Sequence, residues 1–437
     1  MLVSRTRPGP ASAVAARPET AAVARSGSER ILSIDVLRGL VMFTMIFVND
    51  LAGVSDAIVP AWMKHFHGKS GMTFVDLVFP AFLFIVGMSI PFALGSRLNR
   101  GEPPWKTVLH VVVRTVSLLW IGILMVNETP DSVKMGWSGA LWCVLMYASA
   151  ILAFCTVTPR SKGEKPASRA RSFRILSGTL RLIGVVSLVY LAFAFRGKDG
   201  HRIIQLFPFS LHTEWYGILG LIGWAYLVGS LVFLVCRSNR TALLGCAVLL
   251  MCFYPADQTG AFDHFWLARY VGMGATLGSL AAITVAGLLL GTILVTPDTG
   301  SEWRRARFTL CFIGACAMGA WLLHGLYGIN KNRATPSWCL WACAITALLW
   351  FILHCVIEGR PAGAVARPLV LAGQNVFLAY LLSEVLPSAI ELLRLDDWYA
   401  GLAAPGLAHA VARSAGCALI LLAATTGLNR LGLRLKL

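Results

Sequence analysis

Two histidines, His65 and His67, stand among lysines in Trp62-Met63-Lys64-His65-Phe66-His67-Gly68-Lys69, and eleven residues beyond the first lies Asp76, in the segment FVDLVFP. Imidazole is the side chain best suited to moving protons near neutral pH, and it also accepts an acyl group as a nucleophile. Lys64 and Lys69 favour the neutral ring by like-charge repulsion, the form that a base or nucleophile needs. A carboxylate such as Asp76 can orient an imidazole and receive its proton, although capping and packing are its plainer uses. Just upstream, MIFVND ends an apolar run with Asn49 and Asp50. The Asn49 amide can serve as a helix-end residue, donate to a carbonyl oxygen or hold an amine, and the last two are what acyl transfer requires.

The elements that must position these groups are membrane helices. Of the 437 residues 57% are hydrophobic and 14% are charged, whereas soluble domains carry about 25% charged residues. Apolar runs long enough to cross a bilayer core of about 30 Å recur over 32–53, 72–96, 107–127, 138–158, 174–196, 215–236, 241–256, 270–295, 308–328, 337–357, 368–389 and 404–427, the seventh being short. The pattern predicts an all-α, polytopic integral membrane bundle of about 11–12 transmembrane helices. With a cytoplasmic amino terminus, inside segments hold 24 Lys and Arg against ten outside. The positive-inside rule therefore places both termini in the cytoplasm. The net charge of +17 is topology information rather than a sign of nucleic-acid binding. Residues 1–30, rich in Ala, Arg, Ser and Pro, read as a disordered basic cytoplasmic tail, and 159–173 as a flexible basic cytoplasmic loop. Eleven cysteines fall in or at the ends of the spans and show neither a metal-ligand pattern nor a disulfide framework. A signal peptide is not expected, and the bacterial inner membrane is the expected location.

Ionisable groups inside a span cost several kcal/mol unless paired or hydrated. Asp35 and Arg38, three apart in SIDVLRG, share a helical face and can pair or meet an anionic cofactor at the cytoplasmic mouth. Pro80, one turn after Asp76, is expected to kink the second span. Glu384 also precedes a proline and can face the same interior. Three polar stretches can hold a polyhydroxylated or anionic ligand: 257–269 with Asp263 and His264 among aromatics, 328–338 with Asn330, Lys331 and Asn332, and Gly373-Gln374-Asn375. Solvated loops and an interfacial aromatic belt are the alternatives.

The succession SIDVLRG, FVND, Lys64-His65, GMTFVDLVFPAFLFIVGMSI, INKN and GQN resembles the membrane acetyltransferases related to heparan-alpha-glucosaminide N-acetyltransferase, from about residue 30 to the carboxyl terminus and most densely over 31–95. The resemblance implies a transmembrane acyltransferase domain over 31–437. It implies a co-substrate, acetyl-CoA, taken from the cytosol, and an amino sugar or glycan acceptor on the far side of the bilayer. Neither a metal nor nucleic acid is implied, and a homodimer is compatible. The family histidine follows a lysine, matching His65, and the family asparagine matches Asn49. The usual loop pattern His-Ala-x-Trp-Asn-Gly is here His65-Phe66-His67-Gly68-Lys69-Ser70-Gly71, without the tryptophan and one residue longer. Counting back from Asp76 puts the family histidine on Phe66, so His65 and His67 both stay open, with the Lys-His pair favouring His65. The histidine is then either a nucleophile that carries the acetyl group or a base that deprotonates the acceptor. Arg38 and Arg97 are the basic residues expected to attract the CoA phosphates. A secondary transporter or permease for a sugar or other small polar solute is the alternative that a many-helix bundle allows.

Overall fold

The computed structural model describes residues 31–127, 130–157, 167–207, 209–213, 215–295, 301–357 and 366–435. The tail expected over 1–30 and most of the loop expected over 159–173 lie outside the described residues. The chain forms α1 (Leu32–Ala52), α2 (Val78–Asn99), α3 (Pro104–Val126), α4 (Ser132–Met135), α5 (Gly139–Phe154), α6 (Ala167–Ala194), α7 (Gly217–Cys236) and α8 (Arg240–Gln258). It continues through α9 (Ala281–Val295), α10 (Glu302–Tyr327), α11 (Pro336–Ile357), α12 (Ala366–Gly373), α13 (Val376–Leu392), α14 (Asp396–Gly401) and α15 (Leu407–Arg430). A 3-10 turn, Phe74–Leu77, leads into α2, and a π-helix, Met273–Leu280, leads into α9. The strands are short: β1 (Cys155–Val157) pairs antiparallel with β4 (Leu433–Leu435), and β2 (Ile204–Leu206) with β3 (Phe209–Leu211).

Among the described residues ten helices are long and apolar enough to span a bilayer. The shorter α5 and α13, of 16 and 17 residues, occupy two further expected spans. The protein is an all-α integral membrane bundle. Three expectations need correction. Pro80 is the third residue of α2, in the first turn, where a missing N–H sacrifices no α-helical bond, and the proline in the interior of α2 is Pro91 instead. The eleventh span is broken at Gln374–Asn375 into α12 and α13. Residues 167–173, taken as loop, begin α6.

Without a hydrophobic force between helices inside lipid, close packing needs small residues at the crossings. At the centre α2 meets α9 backbone to backbone: a Cβ on Gly87 would lie 1.9 Å from the Thr284 carbonyl oxygen, and one on Gly287 2.0 Å from that of Phe84. All of α9 from Ala281 to Ile293 is buried. Gly39 and Gly373 do the same between α1 and α12, against Leu369 and Asp35. The crossings fix α1, α2 and α9, whose ends carry the polar groups of the next section. One face of the bundle holds the start of α1, the β1–β4 pair and Asn375; the other holds the end of α1 and the loops at 53–73 and 328–335.

Gly87→Ala is expected to destabilise the bundle by about 1–3 kcal/mol, seen as a lowered midpoint of thermal unfolding in detergent. Gly314→Ala in α10, where nothing lies within 4 Å of the added carbon, should leave the midpoint unchanged or higher.

Candidate active site

The 53–73 loop folds around two anchors. Phe66 is the first: Gly68 and Gly71 curl over its ring, so closely that a Cβ on either would fall within 2.6 Å of it, and Gly71 has φ 155°, which favours glycine. Asp76 is the second, with its side chain 1% exposed. Its Oδ2 accepts from the backbone N–H groups of Phe66 at 3.1 Å and Thr73 at 3.0 Å, a capping box that also starts the turn into α2. Its Oδ1 lies 2.9 Å from His65 Nδ1. Because a carboxylate only accepts, Nδ1 carries the proton of this contact, and Nε2 is the ring nitrogen left for chemistry. Phe66, the residue on which the family count falls, is thus the packing ring, and its neighbour His65 turns to the carboxylate.

A second loop closes over this one. Gly71 N–H donates to Ile329 O at 2.9 Å and Ile329 N–H to Ser70 Oγ at 2.9 Å. The contact brings Lys331 Nζ to 3.0 Å from His65 Nδ1, 3.4 Å from Nε2 and 3.7 Å from Asp76 Oδ1. Burial pushes the Lys331 ammonium below the ordinary lysine range, and the Asp76 carboxylate partly restores it. Lys64, expected beside the imidazole, turns away to Val54 O and Asp56. That contact holds the Asp56 carboxyl below its usual range.

His65 and Lys331 line a cavity of about 460 Å³ together with Asn49, Asn332 and Thr276; its remaining walls are mostly apolar, among them Met45, Phe79, Trp215 and Leu280. The volume and the few converging polar groups suit a small-molecule site. Asn49 Nδ2 lies 3.5 Å from Glu384 Oε1, an acceptor, which leaves Asn49 Oδ1 to accept from a ligand amine or hydroxyl. An imidazole whose Nδ1 is held by a buried carboxylate is equipped, whenever its Nε2 is bare, for nucleophilic attack or proton abstraction.

The structure therefore gathers His65, Asp76, Asn49, Lys331 and Asn332, and separates them from other expected site residues. His67 is solvent-exposed and outside the cavity lining. Asp50 does not line it either: Arg413 binds its carboxylate at 3.0 and 3.2 Å, Tyr399 Oη at 2.6 Å and Ser414 Oγ at 2.5 Å, pinning the end of α1 to α15. Burial and this carboxylate push the Tyr399 phenol well above its ordinary value. Asn330 shapes the second loop, its Oδ1 accepting from Arg333 N–H at 3.0 Å. Asp263 and His264 are exposed and line no part of the cavity. Asn375 is buried at the opposite face, where its amide bonds Leu433 O and Leu435 N at 3.3 Å. Arg38 also lies there, held to Asp35 at 2.9 Å, Ser89 Oγ at 2.7 Å and Gly373 O at 3.3 Å, and Arg97 pairs with Glu102 at 3.1 Å. Sequence reasoning missed Trp215 and Thr276 as cavity residues. The π-helix that presents Thr276 has no compositional signal, though such helices recur at functional sites.

Residues 30–265 match the family described as Domain of unknown function (DUF5009). Over 121 residues, 28% of this chain and 17% of the relative, the sequence is 37% identical to heparan-alpha-glucosaminide N-acetyltransferase of Mus musculus. Over 108 residues, 25% of the chain and 15% of the relative, it is 36% identical to the Homo sapiens protein of the same name. Each match spans less than a fifth of the length of the curated relative.

Arg413→Met leaves the Asp50 carboxylate buried without its cation and is expected to cost about 3–5 kcal/mol of stability. Adding Asp50→Asn should recover part of the loss in the same unfolding measurement. Were Asp50 an acceptor ligand instead, Asp50→Asn alone would raise the acceptor KM and spare the unfolding midpoint.

Proposed function

Because the chain belongs to the family described as Domain of unknown function (DUF5009), whose match covers more than half of it, and resembles named N-acetyltransferases over part of its length, we propose that it is a transmembrane acetyltransferase. In this reading it takes the acetyl group of cytosolic acetyl-CoA and delivers it to an amino sugar or glycan on the opposite face. The observation that carries the proposal is His65, held by the buried Asp76 at the wall of a cavity.

The excess of Lys and Arg on one set of loops supports a cytoplasmic amino terminus, which puts the His65 cavity at the outer end of the bundle. The CoA phosphates would then stay at the opposite face. Arg38 spends donors on Asp35, Gly373 and Ser89 and fits a role as a clamp between helices. Arg97 and Arg100, with side chains 31% and 66% exposed, are better placed to meet phosphates.

Two routes use the same geometry. In the first, His65 Nε2 attacks the thioester carbonyl carbon and the C–S bond breaks with CoA leaving as the thiolate; the acceptor amine then attacks the acetyl carbon, the bond to Nε2 breaks, and the proton the amine loses goes to the CoA thiolate. In the second, both substrates meet: Nε2 removes the proton of the amine as it attacks the thioester carbonyl carbon, the C–S bond breaks, and the imidazolium returns that proton to the departing CoA thiolate. In each, Asp76 stabilises the imidazolium that develops, and Asn49 Oδ1 orients the acceptor N–H.

The test is transfer from labelled acetyl-CoA to glucosamine-terminated oligosaccharides by purified protein in liposomes. Wild type should transfer, His65→Ala should lose at least about 100-fold, and His67→Ala should retain activity. Label on the wild-type protein without acceptor, absent in His65→Ala, would select the covalent route. Transfer that survives in His65→Ala would refute the site; no transfer by any form, with uptake of free sugar instead, would favour a permease.

A further inference from the structure

The Asp76 carboxylate poses a problem for any chemistry at His65. It is almost fully buried, and two backbone N–H groups hold its Oδ2, an arrangement that favours the ionised form. A carboxylate 2.9 Å from an imidazole favours adding a second proton to the ring. An imidazolium has no lone pair and is neither nucleophile nor base.

We propose that Lys331 is a positioning residue that keeps the His65 imidazole neutral, protonated at Nδ1 and free at Nε2, by placing a fixed positive charge against the ring beside Asp76. The proposal deepens the transferase reading and rests on it for its catalytic meaning. The ammonium lies within 3.4 Å of both ring nitrogens, so protonating the ring would set two cations in contact. It also lies 3.7 Å from Asp76 Oδ1 and supplies the countercharge that an imidazolium would otherwise provide.

The backbone holds this cation in place. Asn330 N–H donates to Thr335 Oγ1 at 3.0 Å, that hydroxyl donates to Gly328 O at 3.1 Å, and Asn330 Oδ1 accepts from Arg333 N–H. Ala334, in the left-handed region at φ 49°, turns the chain back into α11. The other charges around the ring are engaged or turned outward. Lys64 is on Asp56, and His67 and Lys69 are exposed on the same loop. Arg333 is exposed on the second loop, Glu384 faces the Asn49 amide from α13, and Asp50 is neutralised by Arg413.

Lys331 as an acceptor-binding cation would show itself in KM. As a positioning residue it shows itself in the ring without any substrate. Histidine-selective ¹⁵N spectra of the detergent-solubilised protein at pH 7, with His65→Ala assigning the signal, read the protonation state directly. Wild type should show two well-separated nitrogen shifts, one protonated and one bare. Lys331→Met, with Lys331→Gln as the second variant should the first fail to fold, should show the two shifts collapsed together, as in imidazolium. Lys331→Arg should restore the separated pair. In transfer assays the acid limb of kcat should move upward by about one pH unit or more in the neutral variants. An unchanged His65 spectrum in both neutral variants overturns the proposal, as does a rise confined to acceptor KM. Absence of transfer by wild type would instead overturn the transferase reading and leave the spectra to decide the role of Lys331.

Discussion

A carboxylate buried at a membrane face must be saturated with donors, and the end of this bundle that holds His65 is organised by that requirement. Ionised Asp76 would cost several kcal/mol if buried alone. Its oxygens instead collect the N–H groups of Phe66 and Thr73, the Thr73 hydroxyl and the His65 ring. Each bond also shapes the chain. The Thr73 pair starts the turn into α2, the Phe66 N–H sets the curl of the loop, and the imidazole bond fixes which nitrogen is held by the carboxylate. The same group thus acts as helix cap, loop anchor and partner of the His65 imidazole.

Such a site keeps its geometry because the helices beneath it are packed to backbone contact. Glycine crossings between α2 and α9 and between α1 and α12 leave no room for a side chain to adjust. Asp50 and Arg413 lock the carboxyl-terminal end of α1, one residue beyond Asn49. The cavity between these elements is mostly apolar, with five polar side chains in its wall. Few competing polar contacts are then offered to a ligand, so those five determine its orientation.

Much of the fold was legible because bilayer thickness imposes a length and a composition on every span. The expected and observed limits agree within a few residues for most helices, α1 and α11 among them. Errors arose where a residue type has two uses. Pro80 breaks a helix interior but is harmless in a first turn, and nothing local showed that a 3-10 turn at 74–77 would shift the start of α2. Asp50 and Asn375 were legible as polar groups at span ends. Their partners, Arg413 and the β4 backbone, lie 363 and about 60 residues away. Trp215 and Thr276 had no such signal, since an aromatic and a hydroxyl at helix ends are ordinary membrane composition.

What the sequence determined by itself was local: the helical spans, the charge asymmetry of the loops, and two histidines followed nine and eleven residues later by an aspartate whose capping box needs only Thr73, three residues before it. Tertiary structure alone decided which histidine meets that aspartate, because the answer depends on Gly68 and Gly71 curling closely over the Phe66 ring and on a loop 266 residues away closing over it. Hydrophobic length acts on a segment through the solvent around it and can be read one segment at a time. The charge state of an imidazole depends on distances of a few ångströms between segments, and those exist only once the bundle has packed.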